Sequence, residues 1–236
     1  MSSARNVLVT GGNRGIGLAI AQAFKEAGDN VIITYRTGGA PDGLLGVQMD
    51  VTDSASVNSA FAEIEEKYGT VDVLIANAGI TKDGLAMRMS DSDFQDVVDT
   101  NLTGTFRVAQ RSLAGMMKKR SGRVIFIGSV VALLGSAGQA NYAATKSALV
   151  GLARTLAREY GSRGITFNVV APGFVETDMT AVLADNLKEK YVSQIPLGRF
   201  CSPAEVADVV TFIASQEAAY ITGAVIPVDG GLGMGH

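Results

Sequence analysis

The chain opens with a short apolar run, a glycine-rich loop and an amphipathic segment, and this order constrains the fold more than any other feature. Residues 7–10 predict a buried strand, residues 11–17 a glycine loop, and residues 16–27 a helix that ends at Gly28. A second apolar strand, residues 31–35, follows at once. Because a helix connects the two strands, the segment predicts a right-handed β-α-β unit in a parallel sheet.

The same alternation continues along the chain. It predicts further strands over 44–49, 71–76, 123–128, 165–170 and 224–228, and helices over 54–68, 94–119, around Tyr142 as far as Gly161, and over 205–214. Residues 174–200 lack a clean period and suggest a mobile helical lid over a site. We see no repeat and no linker. We therefore predict one α/β domain over residues 1–236, a doubly wound parallel seven-stranded sheet with helices on both faces.

Composition excludes several classes of function. With 236 residues, 47% of them hydrophobic, the chain can bury a substantial core, while a net charge of -3 without a dense basic stripe argues against nucleic-acid binding. No signal peptide and no run of ~18 apolar residues is evident, so we expect no membrane association and a cytoplasmic location. The single cysteine, Cys201, excludes an internal disulfide. The only histidine is His236, so we expect no metal site, and acids or bases must be Tyr, Lys, Asp or Glu.

The glycine loop has the spacing Gly-x-x-x-Gly-x-Gly, formed by Gly11, Gly15 and Gly17. Glycine lets the backbone approach a pyrophosphate, and the free amides and dipole of the helix N-terminus favour an anion. A glycine-rich turn without a ligand is the alternative. The position of the loop between the first strand and the first helix favours a dinucleotide site.

The residues after the second strand favour NADPH over NADH. Arg36 stands where an NAD site has a carboxylate, and together with Arg14 in the glycine loop it can bind a 2′-phosphate. Two ordinary surface arginines are the alternative. Asp50 and Val51, at the end of the third strand, are candidates for contacts with adenine, although Asp50 also suits a plain turn.

Tyr142 and Lys146 place a phenol and an ammonium four residues apart on one face of a helix. A cation within ~4 Å, at an effective dielectric of ~20, can lower the pKa of a phenol by roughly three units, which favours proton transfer near neutral pH. Ser129 follows the strand before this helix and can hold a substrate oxygen against the phenol. A surface tyrosine beside a solvated lysine is the alternative.

Three further features suggest a ligand at the carboxyl edge of the sheet. Asn77, Ala78 and Gly79 end the fourth strand with small residues, and Pro172-Gly173 ends the sixth. A tight turn is an equally good interpretation of the first, and the second can pack against a flat ring or simply end the strand. Asn101 lies inside a long predicted helix, where a solvated amide is the default.

In this order, the glycine loop, Asn-Ala-Gly, Asn101, Ser129, Tyr-x-x-x-Lys and Pro-Gly resemble the short-chain dehydrogenase/reductase family over nearly the whole chain. Within it, residues 126–129, 139–144, 170–179 and 221–231 are similar to bacterial 3-oxoacyl-[acyl-carrier-protein] reductases of type II fatty acid synthesis. Asn13-Arg14 and the tail 233–236 resemble the actinobacterial and mycobacterial forms. The resemblance implies a Rossmann-like fold. The compact loop 38–43 departs from most family members, which carry a longer helix there.

The resemblance also implies roles for individual residues. Tyr142 protonates the developing alkoxide, Ser129 bonds the ketone oxygen, and Lys146 lowers the pKa of the phenol and binds the nicotinamide ribose. Asn101 holds, through its main chain, a water that links Lys146 to solvent. The implied NADPH-binding residues are Gly11, Asn13, Arg14, Gly15, Ile16, Gly17, Arg36, Asp50, Val51, Asn77, Ala78, Gly79, Tyr142, Lys146, Pro172, Gly173, Val175 and Thr177.

The implied substrate is an acyl-carrier-protein thioester, and a homotetramer is the expected assembly, with close packing through the small residues of the Tyr142 helix. Residues 118–120 and Arg163 are candidates for docking an acidic carrier near the pocket, with solvated helix ends as the alternative. Two rival functions stay open. One is another reductase of the same family, acting on acetoacetyl-CoA, a polyketide or a small ketone. The other is a catalytically idle NADPH-binding protein.

Overall fold

The computed structural model describes residues 4–177, 180 and 184–234, and it contains a seven-stranded parallel sheet in the order β3-β2-β1-β4-β5-β6-β7. The chain reaches β3 on one side of β1 and then crosses to β4 on the other side, so the order reverses between β1 and β4. Ligands of such sheets bind at this reversal, beyond the carboxyl ends of the strands. The strands are β1 (Asn6–Thr10), β2 (Asn30–Tyr35), β3 (Leu45–Gln48), β4 (Val73–Ala76), β5 (Gly122–Ile127), β6 (Ile165–Pro172) and β7 (Val225–Val228).

Helices cover both faces of the sheet, as predicted. They are α1 (Gly15–Glu26), α2 (Ser54–Tyr68), α3 (Asp91–Val98), α4 (Gly104–Lys119), α5 (Val131–Leu134), α6 (Ala140–Tyr160), α7 (Asp185–Val192) and α8 (Pro203–Ile213). Short polar side chains begin several of them. The Asp53 carboxylate accepts from the backbone of α2, and Ser90 does the same for α3. Ser202 and Glu205 form a reciprocal capping box at α8.

Two hydrophobic cores lie on opposite faces of the sheet. Leu8 of β1 packs into one core with Phe61 of α2, while its neighbours Val7 and Val9 pack into the other with Phe24 of α1. All five side chains are fully buried, and burying a side chain of this size contributes about 1.5–3 kcal/mol. The central strands are therefore continuous apolar runs rather than alternating ones, as expected for a parallel sheet covered on both faces.

The predicted helix over 94–119 is instead three connected segments. α3 begins at Asp91, a π-helical turn spans Asp99–Thr103, and α4 follows from Gly104. A π turn inserts an extra residue and often marks a functional position. Here it contains Asn101, which is fully buried rather than solvated.

Most other element boundaries agree with prediction to within one or two residues. The sequence did not indicate α5 or the 3-10 helix Ala86–Arg88. The lid predicted over 174–200 contains α7, no residue of which is buried, and its residues 178–179 and 181–183 lie outside the described residues. None of the helices among the described residues has the length and apolar character needed to cross a membrane.

Candidate functional site

The ends of β1 and β4 are fastened together at the reversal point of the sheet. The hydroxyl of Thr10 accepts hydrogen bonds from the backbone N–H groups of Asn77 and Ala78, each at 3.0 Å. In return, the side-chain amide of Asn77 donates to the carbonyls of Thr10 and Gly11, also at 3.0 Å. Asn77 and Ala78 therefore form the floor of a crevice that begins at the glycine loop.

The glycine loop leaves the N-terminus of α1 open for an anion. Gly11 and Gly15 have positive φ angles of 62° and 54°, which glycine adopts without strain. A Cβ at Gly17 would lie 2.4 Å from the carbonyl oxygen of Gly11. α1 has no side-chain cap and no acidic residue in its first turn, so its free N–H groups face the crevice uncompensated. This arrangement fits a pyrophosphate.

The loop after β2 forms one end of the crevice. Asn13 donates from its side chain to the carbonyl of Thr37 at 3.1 Å, which holds this loop beside the glycine loop. Arg14 and Arg36 are both exposed. Two guanidiniums are therefore available to a phosphate at this end of the crevice.

Asp50 forms the turn that the sequence left open as an alternative. Its Oδ1 accepts from the N–H of Thr52 at 2.9 Å and from the hydroxyl of Thr52 at 2.7 Å. Burial acts to raise the pKa of Asp50, but these bonds and the positive charges of Arg36 and Arg107 outweigh it, so the pKa lies below its usual value. The neighbouring Val51 is buried, and its carbonyl accepts from Arg107 at 3.2 Å.

Ser129, Tyr142 and Lys146 converge at the carboxyl edge of the sheet. Ser129 follows β5 directly, Tyr142 lies in the first turn of α6, and Lys146 lies one turn later. The hydroxyl of Ser129 lies near the Tyr142 phenol, and the Lys146 Nζ lies 5.5 Å from the centroid of the Tyr142 ring. Ser129 and Lys146 are 8% and 5% exposed, so the group is screened from bulk water.

The pKa of Tyr142 differs from the prediction. Burial raises it above its usual value, because the phenolate would lose its hydration, and the nearby hydroxyl of Ser129 lowers it by a smaller amount. The nearby carboxylate of Asp83 raises it further. Burial also lowers the pKa of Lys146 to about 8, and its Nζ donates to the Ile127 carbonyl at 2.7 Å. Desolvation therefore raises the pKa of Tyr142, whereas the sequence predicted that the ammonium of Lys146 would lower it.

The Asn101 side chain fastens the chain that follows β4. Its Oδ1 accepts from the N–H of Ile80 at 2.8 Å, and its Nδ2 donates to the carbonyl of Ile80 at 2.9 Å. A Cβ at Gly79 would lie 3.2 Å from the Asn101 Oδ1 and 3.7 Å from the Lys146 Nζ. Asn101 and Gly79 thus lie beside Lys146, as a shared site requires. The Asn101 carbonyl accepts from the hydroxyl of Thr105 at 2.8 Å.

The segment after β6 closes the other side of the crevice. The carbonyl of Pro172 accepts from the N–H of Val130 at 2.8 Å, which ties it to the Ser129 loop. A Cβ at Gly173 would lie 2.8 Å from the Cα of Asp229. Val175 is buried, and a Cβ at Gly15 would lie 3.7 Å from the Thr177 Cγ2. Thr177 therefore faces the glycine loop across the crevice.

Cys201 has a structural role near the lid and is not a candidate catalytic residue. It forms an isolated β-bridge with Val175, and burial raises the pKa of its thiol to about 11. A thiol with that pKa is protonated and weakly reactive at neutral pH. Beside it lies a cavity of about 450 Å³, lined in part by Phe174, Leu197 and Met234.

The sequence did not indicate a role for Asn141, the residue before Tyr142. Asn141 is fully buried; its Nδ2 donates to the carbonyl of Lys82 at 3.0 Å and its Oδ1 accepts from the N–H of Tyr142 at 2.7 Å. It fixes the first turn of α6 against the chain after β4. The sequence pattern that could have identified Asn141 is the one noted for Asn101, an amide side chain within a helix.

The candidate basic docking residues do not lie near Tyr142, although Lys118 lines a separate cavity of about 600 Å³ between α2 and α4. Residues 118–120 end α4 and Arg163 follows α6, whereas Asn101 and Tyr142 stand at the opposite ends of these helices. A helix of 16 residues such as α4 is ~24 Å long, which places the basic residues at the far edge of the sheet. The sequence identified the helix ends correctly but not the direction in which both helices run.

Comparisons with known proteins identify the family of the chain. The family model described as Enoyl-(Acyl carrier protein) reductase matches residues 11–233. Over 232 residues, 98% of this chain and 94% of the relative, the chain is 54% identical to the 3-oxoacyl-[acyl-carrier-protein] reductase MabA of Mycobacterium tuberculosis. It is 48% identical over 235 residues to the 3-oxoacyl-[acyl-carrier-protein] reductase FabG of Escherichia coli (strain K12), covering 96% of each chain. The chain belongs to the short-chain dehydrogenase/reductase family.

Proposed function

We propose that this protein is a 3-oxoacyl-[acyl-carrier-protein] reductase that uses NADPH. The observation that carries the proposal is the convergence of two hydroxyls, those of Ser129 and Tyr142, with the ammonium of Lys146 beside them in a largely buried site. The two hydroxyls can both reach one ketone oxygen. The relatives from Mycobacterium tuberculosis and Escherichia coli are named for this substrate, which supports assigning it to this chain.

When bound, a nicotinamide dinucleotide, the cofactor of this family, supplies the hydride that adds to the ketone carbon. Ser129 donates a hydrogen bond to the ketone oxygen and orients it toward the phenol. Tyr142 gives its proton to that oxygen as the carbon–oxygen double bond becomes single, which yields the 3-hydroxyacyl product. Solvent then returns a proton to Tyr142. The Lys146 ammonium stabilises the phenolate during that interval because the two charges are opposite and desolvated.

Several features support the dinucleotide and its phosphorylated form. The open N-terminus of α1 suits the pyrophosphate, and the small residues at Ala78 and Gly79 leave room for a flat ring near Lys146. Arg14 and Arg36 are exposed at the end of the crevice where the 2′-phosphate of NADPH would lie. Their charge favours NADPH over NADH.

Arg36→Asp tests the choice of cofactor. Replacing a guanidinium by a carboxylate removes a charge-assisted hydrogen bond and adds repulsion, so we expect the KM for NADPH to rise roughly 10- to 100-fold. The KM for NADH should fall or stay constant. Steady-state kinetics with each cofactor measure both values. Arg163→Asp, the same change at an exposed site across the sheet, is the control. Unchanged kinetics in Arg36→Asp would show that Arg36 does not contact the phosphate.

The substrate is tested by comparing matched thioesters. Oxidation of NADPH is followed at one concentration of acetoacetyl-[acyl-carrier-protein], acetoacetyl-CoA and crotonyl-[acyl-carrier-protein]. The proposal predicts the highest kcat/KM for the first. Preference for the CoA thioester or a small ketone would indicate another reductase of the family. Reduction of the crotonyl thioester, an enoyl substrate such as the matching family description names, would indicate enoyl reduction. No oxidation with any of them would indicate a binding protein.

We also propose a homotetramer. Phe106 on α4, Phe212 on α8 and Tyr220 after α8 are exposed aromatic residues on two sides of the chain. On α6, Ala144, Ser147 and Gly151 leave an exposed strip where a second helix can approach closely, whereas Ala153 faces its own sheet. Two distinct surfaces of this kind suit a tetramer with two kinds of interface. Sedimentation equilibrium measures the mass, and a monomer or dimer would contradict the proposal.

A further inference from the structure

A short segment after β4, residues 80–84, crosses between the Asn101 turn and the start of α6, and we call it the strap. Asn101 binds the backbone of Ile80 at one end. At the other end the N–H of Gly84 donates to the carbonyl of Gly138 at 2.8 Å. The side chain of Asn141 donates to the carbonyl of Lys82 between them. The strap is therefore fixed to both elements that position Tyr142.

One side-chain pair closes the strap over the first turn of α6. The Nε2 of Gln139 donates to both carboxylate oxygens of Asp83, at 3.2 and 3.1 Å. Gln139 directly precedes α6 and lies three residues before Tyr142. The Asp83–Gln139 pair therefore fixes a carboxylate beside the first turn of α6, which contains Tyr142.

The charge of Asp83 has no cation beside it among the described ion pairs. Its neighbour Lys82 is engaged elsewhere, with Asp93 at 3.0 Å and Asp96 at 2.7 Å on α3. Gln139 is neutral, so the hydrogen bonds hold the Asp83 carboxylate without neutralising it. The negative charge is therefore felt at the Tyr142 phenol, where it raises the pKa.

We propose that Asp83 and Gln139 are positioning residues whose contact fastens the strap to α6 and keeps a negative charge beside Tyr142, which holds the phenol in its protonated, proton-donating form. The reductive role of that proton rests on the proposed function. The electrostatic effect on Tyr142 does not.

The other groups around the phenol act differently. From α6, the Lys146 ammonium favours the phenolate, but its own pKa of about 8 means that its charge is lost as the pH rises above 8. From the loop after β5, the nearby hydroxyl of Ser129 also favours the phenolate. From the strap, only Asp83 opposes ionisation. Removing its charge should therefore lower the pKa of Tyr142.

Titration of the phenol tests this directly, without any substrate. The absorbance of tyrosinate is followed against pH, and the curve of the matching Tyr142→Phe protein is subtracted, which isolates Tyr142 from the five other tyrosines. We expect Asp83→Asn, which keeps the side-chain shape, to move the Tyr142 midpoint to lower pH. Glu26→Gln removes the same charge from the exposed far end of α1 and should leave the midpoint unchanged. An identical midpoint in wild type and Asp83→Asn would overturn the proposal.

Kinetics give an independent test of the contact. If Tyr142 must be protonated, the loss of kcat/KM at high pH should begin at lower pH in Asp83→Asn than in wild type. Gln139→Ala keeps the charge but releases the carboxylate, and we expect a several-fold loss of kcat/KM. The Asp83→Asn/Gln139→Ala double variant should lose little more than the larger single loss, because both changes break one contact. Additive losses would contradict the pairing. If no thioester is reduced, the proposed function fails, whereas the phenol titration still decides the role of Asp83.

Discussion

Tyr142→Phe should lose nearly all reductase activity while retaining its fold and its affinity for the cofactor. The change removes one hydroxyl, the proposed proton donor, and leaves the ring in place beside Lys146. Positioned general acids contribute roughly 10²- to 10⁴-fold to the rate, so we expect kcat to fall by about that factor. Rapid-mixing and steady-state assays with an acetoacetyl thioester measure kcat, and fluorescence titration measures the Kd for NADPH.

Two further measurements make this result specific to the phenol. Tyr220→Phe removes the same atom from a fully exposed side chain and should leave kcat unchanged. The Kd of Tyr142→Phe for NADPH should stay within about fivefold of wild type, because one neutral hydrogen bond is worth ~1 kcal/mol. A Tyr142→Phe protein that retains wild-type kcat would remove the phenol from the mechanism. A large loss of cofactor affinity would indicate that Tyr142 serves binding instead.

The sequence predicted the fold well because its signals are local. Each strand is a short apolar run bounded by turn residues, and the strict alternation with helices leaves a parallel doubly wound sheet as the simplest arrangement. The order of β1, β2 and β4 follows from right-handed crossovers. The π turn around Asn101 was not predictable, because it depends on a contact between the Asn101 side chain and the backbone of Ile80, which are 21 residues apart.

The site residues likewise divide into those that a local sequence pattern indicates and those that depend on distant contacts. Ser129, Tyr142 and Lys146 were found because the strand end and the helical spacing of four residues determine where these side chains point. The predicted lowering of the Tyr142 pKa is wrong, because burial raises this pKa by more than one neighbouring charge lowers it. Burial depends on the whole fold, so no local pattern indicates it. The contact between Asp83 and Gln139, 56 residues apart, leaves no local pattern.

The second large expected effect is that of replacing the buried Lys146, which should change both stability and activity. Its pKa is lowered from 10.5 to about 8, so the folded chain holds the charged form at neutral pH at a cost of roughly 3 kcal/mol. Lys146→Met keeps an unbranched side chain of similar length and removes that cost, but it leaves the Ile127 carbonyl without its donor, which costs about 1 kcal/mol. We expect Lys146→Met to be more stable than wild type by about 2 kcal/mol at pH 7, with kcat reduced at least 100-fold.

The pH dependence separates this explanation from a simple gain in packing. Between pH 8 and 10.5 the unfolded chain still binds the proton that folded Lys146 has released, so the free energy of unfolding of wild type rises with pH across this range. Lys146→Met lacks this contribution, so its advantage over wild type should shrink as the pH rises, vanish near pH ~10 and then reverse, because the cost of the missing hydrogen bond remains. Urea denaturation at pH 7 and at pH 10 measures the difference. Lys25→Met is the matched control, since Lys25 also donates to a backbone carbonyl, that of Gly43, but is exposed. A stability difference that is equal at both pH values would contradict this explanation. It would show that burying the charge of Lys146 does not lower the free energy of unfolding of the wild type.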